Sequence, residues 1–289
     1  MNNPFFTGVC TALVTPFLGD IINFPMVEQL LKRQVASGIS AIVLAGTTGE
    51  SATLTDTEKL ALFQYSKDCV GSACKIIAGT GSNSTAHAVA LSQAAEATGA
   101  DALLVVTPYY NKATDDGLIA HYGAIAQSVS IPIIVYNVPT RTGFDISVDC
   151  YKALSQIPNI IGTKEAGTNI TKITKIRKAC GEQFAIWSGN DDLTVPLISL
   201  GASGVISVLS NVFPDETVRM VESALDGNYN LAAAMQLDMQ PYIDAMFLEV
   251  NPVPVKAAMK LIGYDCGDCR LPLSPPNAQT YQALCRLLK

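Results

Sequence analysis

Asn159-Ile160-Ile161-Gly162-Thr163-Lys164-Glu165-Ala166-Gly167-Thr168 is the stretch that decides the fold. Its first half is a short apolar run rich in isoleucine and bounded by Pro158 and glycine. Such a run reads as a strand buried on both faces of a parallel sheet. A lysine at its far end stands where the sheet or barrel opens. An ammonium is costly to desolvate, so apolar surroundings favour the neutral amine, the form that attacks a carbonyl to give a Schiff base. The alternative is a strand-end lysine paired with Glu165 or another carboxylate, and this stretch alone leaves both open.

The same unit recurs in both directions along the chain. Strands fit Gly8–Val14, Ala41–Ala45, Lys75–Thr80, Ala102–Thr107, Ile131–Tyr136, Asn159–Lys164, Phe184–Ser188 and Gly204–Val208. Between them, Met26–Ser37 carries apolar residues at helical spacing (Met26, Val27, Leu30, Leu31, Val35) and Gly38 stops it. A helix is capped near Thr55 with Glu58 three residues on. Further helices fit Thr85–Thr98, Asp116–Ser128, Val148–Gln156, Ile170–Ala179 and Asp192–Leu200. Strand ends fall mostly about 24–33 residues apart, the βα repeat of an eightfold barrel. A doubly wound open sheet would show a switch point and a phosphate-binding glycine fingerprint after the first strand, and neither is evident. The expected fold is α/β, a (β/α)8 TIM barrel over residues 1–213. Residues 214–289 supply the last barrel helix and a C-terminal helical appendage of the same structural unit (Asp215–Leu225, Leu231–Phe247, Val253–Leu261, Ala278–Leu288).

Composition agrees. The chain has 289 residues, 49% hydrophobic and 15% charged, enough for a large core. A net charge of −6 with no Lys/Arg-rich run gives no support for nucleic-acid binding. The start, Met1-Asn2-Asn3-Pro4-Phe5-Phe6, lacks the basic and apolar segments of a leader, and no apolar run suits a membrane span. A soluble, cytoplasmic protein is expected. Eight cysteines in a chain this long do not suggest a disulfide scaffold. Cys266-Gly267-Asp268-Cys269 has metal-ligand or redox spacing, but no second pair completes a zinc site, so a surface turn with two thiols is expected.

Active sites of such barrels lie at the carboxyl ends of the strands. The second strand ends in Gly46-Thr47-Thr48-Gly49-Glu50-Ser51, where small residues let backbone N–H groups converge on a carboxylate or oxyanion, or simply form a glycine turn. The fourth ends in Thr107-Pro108-Tyr109-Tyr110 and the fifth in Tyr136-Asn137-Val138-Pro139-Thr140-Arg141-Thr142-Gly143. On residue type alone the tyrosines are rim residues and Arg141 a partner for a surface acid.

Together these strand ends resemble the pyruvate-dependent class I aldolase superfamily, which includes N-acetylneuraminate lyase, and within it the dihydrodipicolinate synthase family. The resemblance rests on Gly46-Thr47-Thr48-Gly49-Glu50, Tyr136-Asn137-Val138-Pro139 with Arg141 and Gly143, and Gly162-Thr163-Lys164-Glu165, and covers essentially the whole chain. It implies 4-hydroxy-tetrahydrodipicolinate synthase activity, a lyase of lysine and diaminopimelate biosynthesis that condenses pyruvate with L-aspartate 4-semialdehyde. It implies Lys164 as the Schiff-base residue, Tyr136 as the proton relay, and Thr48 and Tyr110 as its partners, Tyr110 from a neighbouring subunit. It also implies Thr47 and Thr48 on the pyruvate carboxylate, Arg141 on the carboxylate of the aldehyde, and Gly189 and Ile206 lining the pocket. No metal or other cofactor is implied beyond the covalent imine, and the expected assembly is a homotetramer, a dimer of dimers. Sister aldolases acting on N-acetylneuraminate or 2-keto-3-deoxy-sugar acids remain alternatives, with Arg141 as the discriminator. So does a non-catalytic relative that binds pyruvate-like ligands.

Members inhibited by lysine bind it between subunits, near positions matching Ser51, Ala52, Asn83 and Tyr109. By the same resemblance, the inhibited members carry a histidine where this chain has Lys59 and a glutamate where it has His87. The first change adds an ammonium and the second removes a carboxylate. Weak or absent feedback by lysine is expected. The competing view makes Lys59 and His87 solvated helix-face residues.

Overall fold

Residues 4–288 are described in a computed structural model of the protein; Met1–Asn3, on which the leader reading partly rested, and Lys289 lie outside the described residues. The chain opens with β1 (Gly8–Ala12), a small hairpin of β2 (Phe17–Leu18) and β3 (Ile21–Ile22), and α1 (Phe24–Ala36). Strands and helices then alternate: β4 (Ala41–Leu44), α2 (Asp56–Val70), β5 (Lys75–Gly79), α3 (Thr85–Ala97), β6 (Ala102–Val106) and α4 (Asp115–Ser128). Next come β7 (Ile133–Asn137), a short α5 (Pro139–Thr142), α6 (Val148–Leu154), β8 (Ile160–Glu165), α7 (Ile170–Cys180), β9 (Ala185–Ser188), α8 (Thr194–Ser199) and β10 (Gly204–Ser207). The chain finishes with α9 (Pro214–Leu225), α10 (Tyr229–Ala245), α11 (Val253–Leu261) and α12 (Ala278–Leu288).

Eight parallel strands close in the order β1-β10-β9-β8-β7-β6-β5-β4, so the sequential βα units wind once around a TIM barrel. Alternation along each strand divides the apolar residues into two cores. Cys10, Val43, Ile77, Leu104, Ile134 and Ile206 fill the barrel interior, and their neighbours pack outward against the helices. Phe6 plugs one end by stacking on Trp187 with ring centroids 4.6 Å apart. The glycine of the opening stretch makes room for that plug. A Cβ on Gly162 would lie 2.3 Å from the carbonyl oxygen of Ala185 and 2.9 Å from the Trp187 ring.

The helices begin where the capping chemistry directs. Thr55 and Glu58 form the reciprocal capping box of α2, and Asn23 caps α1 ahead of Pro25, so α1 starts earlier than its apolar spacing suggests. The segment expected as Asp192–Leu200 divides into a 3-10 turn (Asp191–Leu193) and α8, because Pro196 is tolerated only in a helix's first turn. In the C-terminal part α9 lies against β1 and α8, α10 packs on α9, and α11 packs on α12. No helix among the described residues is long and apolar enough to cross a membrane.

Candidate active site

Register brings Tyr136 of β7 opposite Lys164 of β8, both at the carboxyl ends of their strands. They border a cavity of about 440 Å³ whose lining also includes Thr47, Thr48, Arg141 and Gly189. Lys164 is 5% exposed, and its Nζ stands 4.5 Å from the centroid of the Tyr136 ring. Of the buried lysines among the described residues, Lys59, Lys172 and Lys256 each pair with a carboxylate, and Lys164 does not.

Glu165, the alternative partner for Lys164, points to the other side of the strand. There it accepts from Asn137 Nδ2 at 2.8 Å, from the Tyr151 hydroxyl at 2.8 Å and from the Gly167 N–H at 2.8 Å. Lys172 lies 3.8 Å away and also contacts Asp145, which accepts from Asn137 at 2.7 Å. Burial pushes the Glu165 carboxyl up, opposed by Lys172 and these donors. One residue beyond Tyr136 and one beyond Lys164, the two strand ends are therefore bolted together through Asn137 and Glu165.

The loop after β4 builds the other wall. Ala45 and Glu50 adopt left-handed backbone (φ 48° and 57°), strain of the kind found where a loop must present its backbone. Between them, no described residue accepts a hydrogen bond from the N–H of Thr47 or Thr48, so these groups remain available to an anion. Glu50 turns away and is clamped: Lys256 Nζ donates to it at 2.7 Å and the Arg270 N–H at 2.8 Å.

Asn251 was not singled out by the sequence. It sits in the loop after α10, donates from Nδ2 to Thr48 Oγ1 at 2.9 Å, and its carbonyl accepts from Arg141 at 3.1 Å. Asp191 was also missed. It is buried at the cavity edge, accepts from the N–H groups of Val208 and Leu209 at 2.9 and 3.0 Å, and burial pushes its carboxyl up. Gly189 lies in the lining as expected from the resemblance; Ile206 is fully buried in the barrel interior, and Val208 lines the cavity at that strand end. Tyr110 is 94% exposed, with φ 72°, and does not reach the cavity of its own chain.

A second cavity, about 730 Å³, shares the wall formed by Thr47, Tyr136, Val138, Arg141 and Asn251. Ser51, Ala52, Lys59, His87 and Tyr109 line it, and Asn83 holds the backbone of Tyr109 through a 3.2 Å bond. Lys59 and His87 are not solvated helix-face residues. Lys59 is buried, which pushes its pKa down, and lies 3.8 Å from Asp56. His87 is only partly exposed and pairs with the same Asp56 at 2.8 Å and with Ser82 at 3.1 Å. Periodicity carried the signal: Lys59 precedes Leu62 and Phe63 by three and four positions, on the apolar face of α2.

The Cys266–Cys269 segment is not a surface turn either. Cys266 is 0% exposed, its carbonyl accepts from the Phe17 N–H at 2.9 Å, and burial pushes its thiol up to about 12. Cys269 is partly buried, and its thiol is likewise pushed up to about 12 by burial and by Glu50. Both are held as inert thiols.

Comparison with known proteins gives a consistent result over the full chain. The model of the dihydrodipicolinate synthetase family matches residues 5–289. The 4-hydroxy-tetrahydrodipicolinate synthase of Acetivibrio thermocellus is 45% identical over 289 residues, covering 100% of this chain and 98% of the relative. The crystal structure of dihydrodipicolinate synthase from Aquifex aeolicus superposes with a TM-score of 0.96 at 40% identity, covering 98% of this chain and 97% of that one. The enzyme of Cyanidioschyzon merolae with lysine bound gives 0.95 at 41% identity, with 98% and 97% covered.

Proposed function

The chain belongs to the dihydrodipicolinate synthetase family, and from that premise we propose that it condenses pyruvate with L-aspartate 4-semialdehyde on an imine formed by Lys164. It is a lyase, acting as a 4-hydroxy-tetrahydrodipicolinate synthase in lysine and diaminopimelate biosynthesis. One observation carries the assignment of Lys164: among the buried lysines of the described residues it alone lacks a carboxylate partner, and it stands over Tyr136 where the barrel opens.

The chemistry follows from that placement. The amine attacks the keto carbon of pyruvate, and loss of water gives the imine, which withdraws electrons from the adjacent methyl group. Loss of a methyl proton yields an enamine whose carbon attacks the aldehyde, and the aldehyde oxygen takes up a proton. Water then releases the lysine and restores the keto group, on which the product's own amine closes the ring with loss of water. Each step moves a proton at neutral pH, the task assigned to the Tyr136 hydroxyl with Thr48 and Tyr110. Thr47 and Thr48 hold the pyruvate carboxylate on free N–H groups and hydroxyls. Arg141, on a short helix at the mouth, offers a planar fork to the aldehyde's carboxylate. That guanidinium favours aspartate semialdehyde over the hydroxylated chain of a sugar acid. The imine itself is the electron sink, so the reading calls on no separate cofactor.

The decisive experiment treats the protein with pyruvate and borohydride, maps the adduct, and follows turnover with aspartate semialdehyde and a coupled reductase. One reduced adduct on the Lys164 peptide and aldehyde-dependent turnover are expected. An unmodified Lys164 alongside full turnover would sink the imine mechanism.

The reading also calls for a cytoplasmic homo-oligomer, a dimer of dimers. A tyrosine held in left-handed backbone and almost wholly exposed is set up to serve a neighbour's site rather than its own. Light scattering should find at least a dimer; a fully active monomer would remove Tyr110 from the relay.

A further inference from the structure

We propose that Asn251 is a positioning residue that fixes the polarity of the Thr48 hydroxyl, making Thr48 a donor toward oxygens bound in the reaction cavity. The inference rests on the synthase reading above and goes beyond it by assigning a role to a residue 203 positions from Thr48 in sequence.

A threonine hydroxyl has one proton and two lone pairs, so its direction is set by whichever neighbour claims which. Here Asn251 Nδ2 donates to Thr48 Oγ1 at 2.9 Å, which occupies a lone pair and leaves the hydroxyl proton free. No described residue accepts that proton, and Thr48 lines the cavity beside Lys164 and Tyr136. The proton is thus left for an acceptor in the cavity, a relay hydroxyl or a substrate oxygen.

The amide gives up something to hold this orientation. Asn251 Oδ1 is buried, and no described residue donates to it. An unsatisfied buried acceptor costs about 1–3 kcal/mol, and such groups in a native fold call for an explanation. The reversed amide would leave both NH2 hydrogens without a described partner, where the carbonyl oxygen and one hydrogen lack one now. It would also turn Thr48 round, its proton spent on Asn251 and withheld from the substrate. The backbone helps to hold the amide in place: the Asn251 carbonyl accepts from Arg141 at 3.1 Å, and the side chain is 5% exposed. One residue of the C-terminal part therefore touches both the carboxylate loop and the arginine proposed for the second substrate.

A double-mutant cycle tests this on the full-length enzyme: wild type, Asn251→Asp, Thr48→Val and the double variant, each assayed for kcat/KM on pyruvate. Aspartate keeps the size of asparagine but can only accept, so it claims the Thr48 proton. Its charge also repels pyruvate, but equally in both backgrounds. We expect Asn251→Asp to lower kcat/KM at least fivefold more when Thr48 is present than in the Thr48→Val background. Asn251→Ala, which removes the donor without reversing it, should lose less than Asn251→Asp, although it leaves a void. Equal losses in both backgrounds, or a greater loss for the alanine than for the aspartate variant, would reduce Asn251 to packing and overturn the proposal. Should Asn251→Asp fail to fold, the same cycle run with Asn251→Ala decides: a loss that persists undiminished in the Thr48→Val background overturns it. A wild type without synthase turnover would instead refute the functional reading on which this rests.

Discussion

The two cavities that share the Thr47–Tyr136 wall differ in how their ionisable groups are partnered. In the proposed reaction cavity, no described carboxylate pairs with Lys164, and the hydroxyl proton of Thr48 goes to no described residue. In the other, Lys59 and His87 share Asp56, and Glu50 is held by Lys256 and the Arg270 backbone. Burial makes an unpaired group costly and therefore reactive, whereas a paired group has already spent its interactions within the fold. On the function proposed above, the difference separates groups kept for chemistry from groups kept for architecture.

Giving one lysine from each side the same replacement exposes that difference. Lys164→Met should remove the pyruvate adduct and lower kcat/KM by at least about a thousandfold, roughly 4 kcal/mol in transition-state stabilisation. Its melting temperature should hold or rise, because an apolar chain of similar length replaces an unpaired buried amine. Lys256→Met should do the reverse to stability. It strands the Glu50 carboxylate, 2.7 Å from the lost ammonium, and breaking a buried pair on one side costs about 3–5 kcal/mol. Converting Glu50→Gln in the same chain should recover much of that loss. Denaturant unfolding of the four proteins measures this; equal destabilisation by the two lysine replacements would break the distinction.

How legible each side was in the sequence follows from the same physics. The eight barrel strands were readable because burial on both faces enforces continuous apolar runs; Lys164 ends one, and only the neighbouring strand ends gave it a role. The β2–β3 hairpin, two residues to a strand, is too short to make a pattern. Asn251 carries no local signal at all: it lies in a loop, and only the packing of α10 and α11 brings it to Thr48. Cys266 was misplaced because its spacing was read without its setting; Lys256 and Arg270 both lie over the Phe17 ring (4.3 and 4.4 Å), drawing that segment against the barrel. Residue type and order, through the resemblance they carry, therefore pointed to the side proposed as reactive, and the clamped side emerged only from tertiary pairing.

The smallest expected effect belongs to the second cavity. We propose that lysine inhibits this enzyme weakly or not at all, in contrast to what the lysine-bound relative suggests for its own site. A lysine ligand brings an ammonium to be matched by a carboxylate. Asp56 borders the cavity, but His87 Nε2 already holds it at 2.8 Å and Lys59 stands 3.8 Å away. Glu50 also borders it and is occupied by Lys256. An incoming ammonium would have to displace a cation of the fold and then sit beside Lys59, whose burial already disfavours its own charge. Loss of one such charge pair is commonly about 2–5 kcal/mol, more than tenfold in affinity. Titrating lysine into the coupled assay should leave the rate nearly flat through the submillimolar range. Half-inhibition there would mean that Asp56 exchanges its partners for a ligand, and that pairing in this cavity is regulatory rather than architectural.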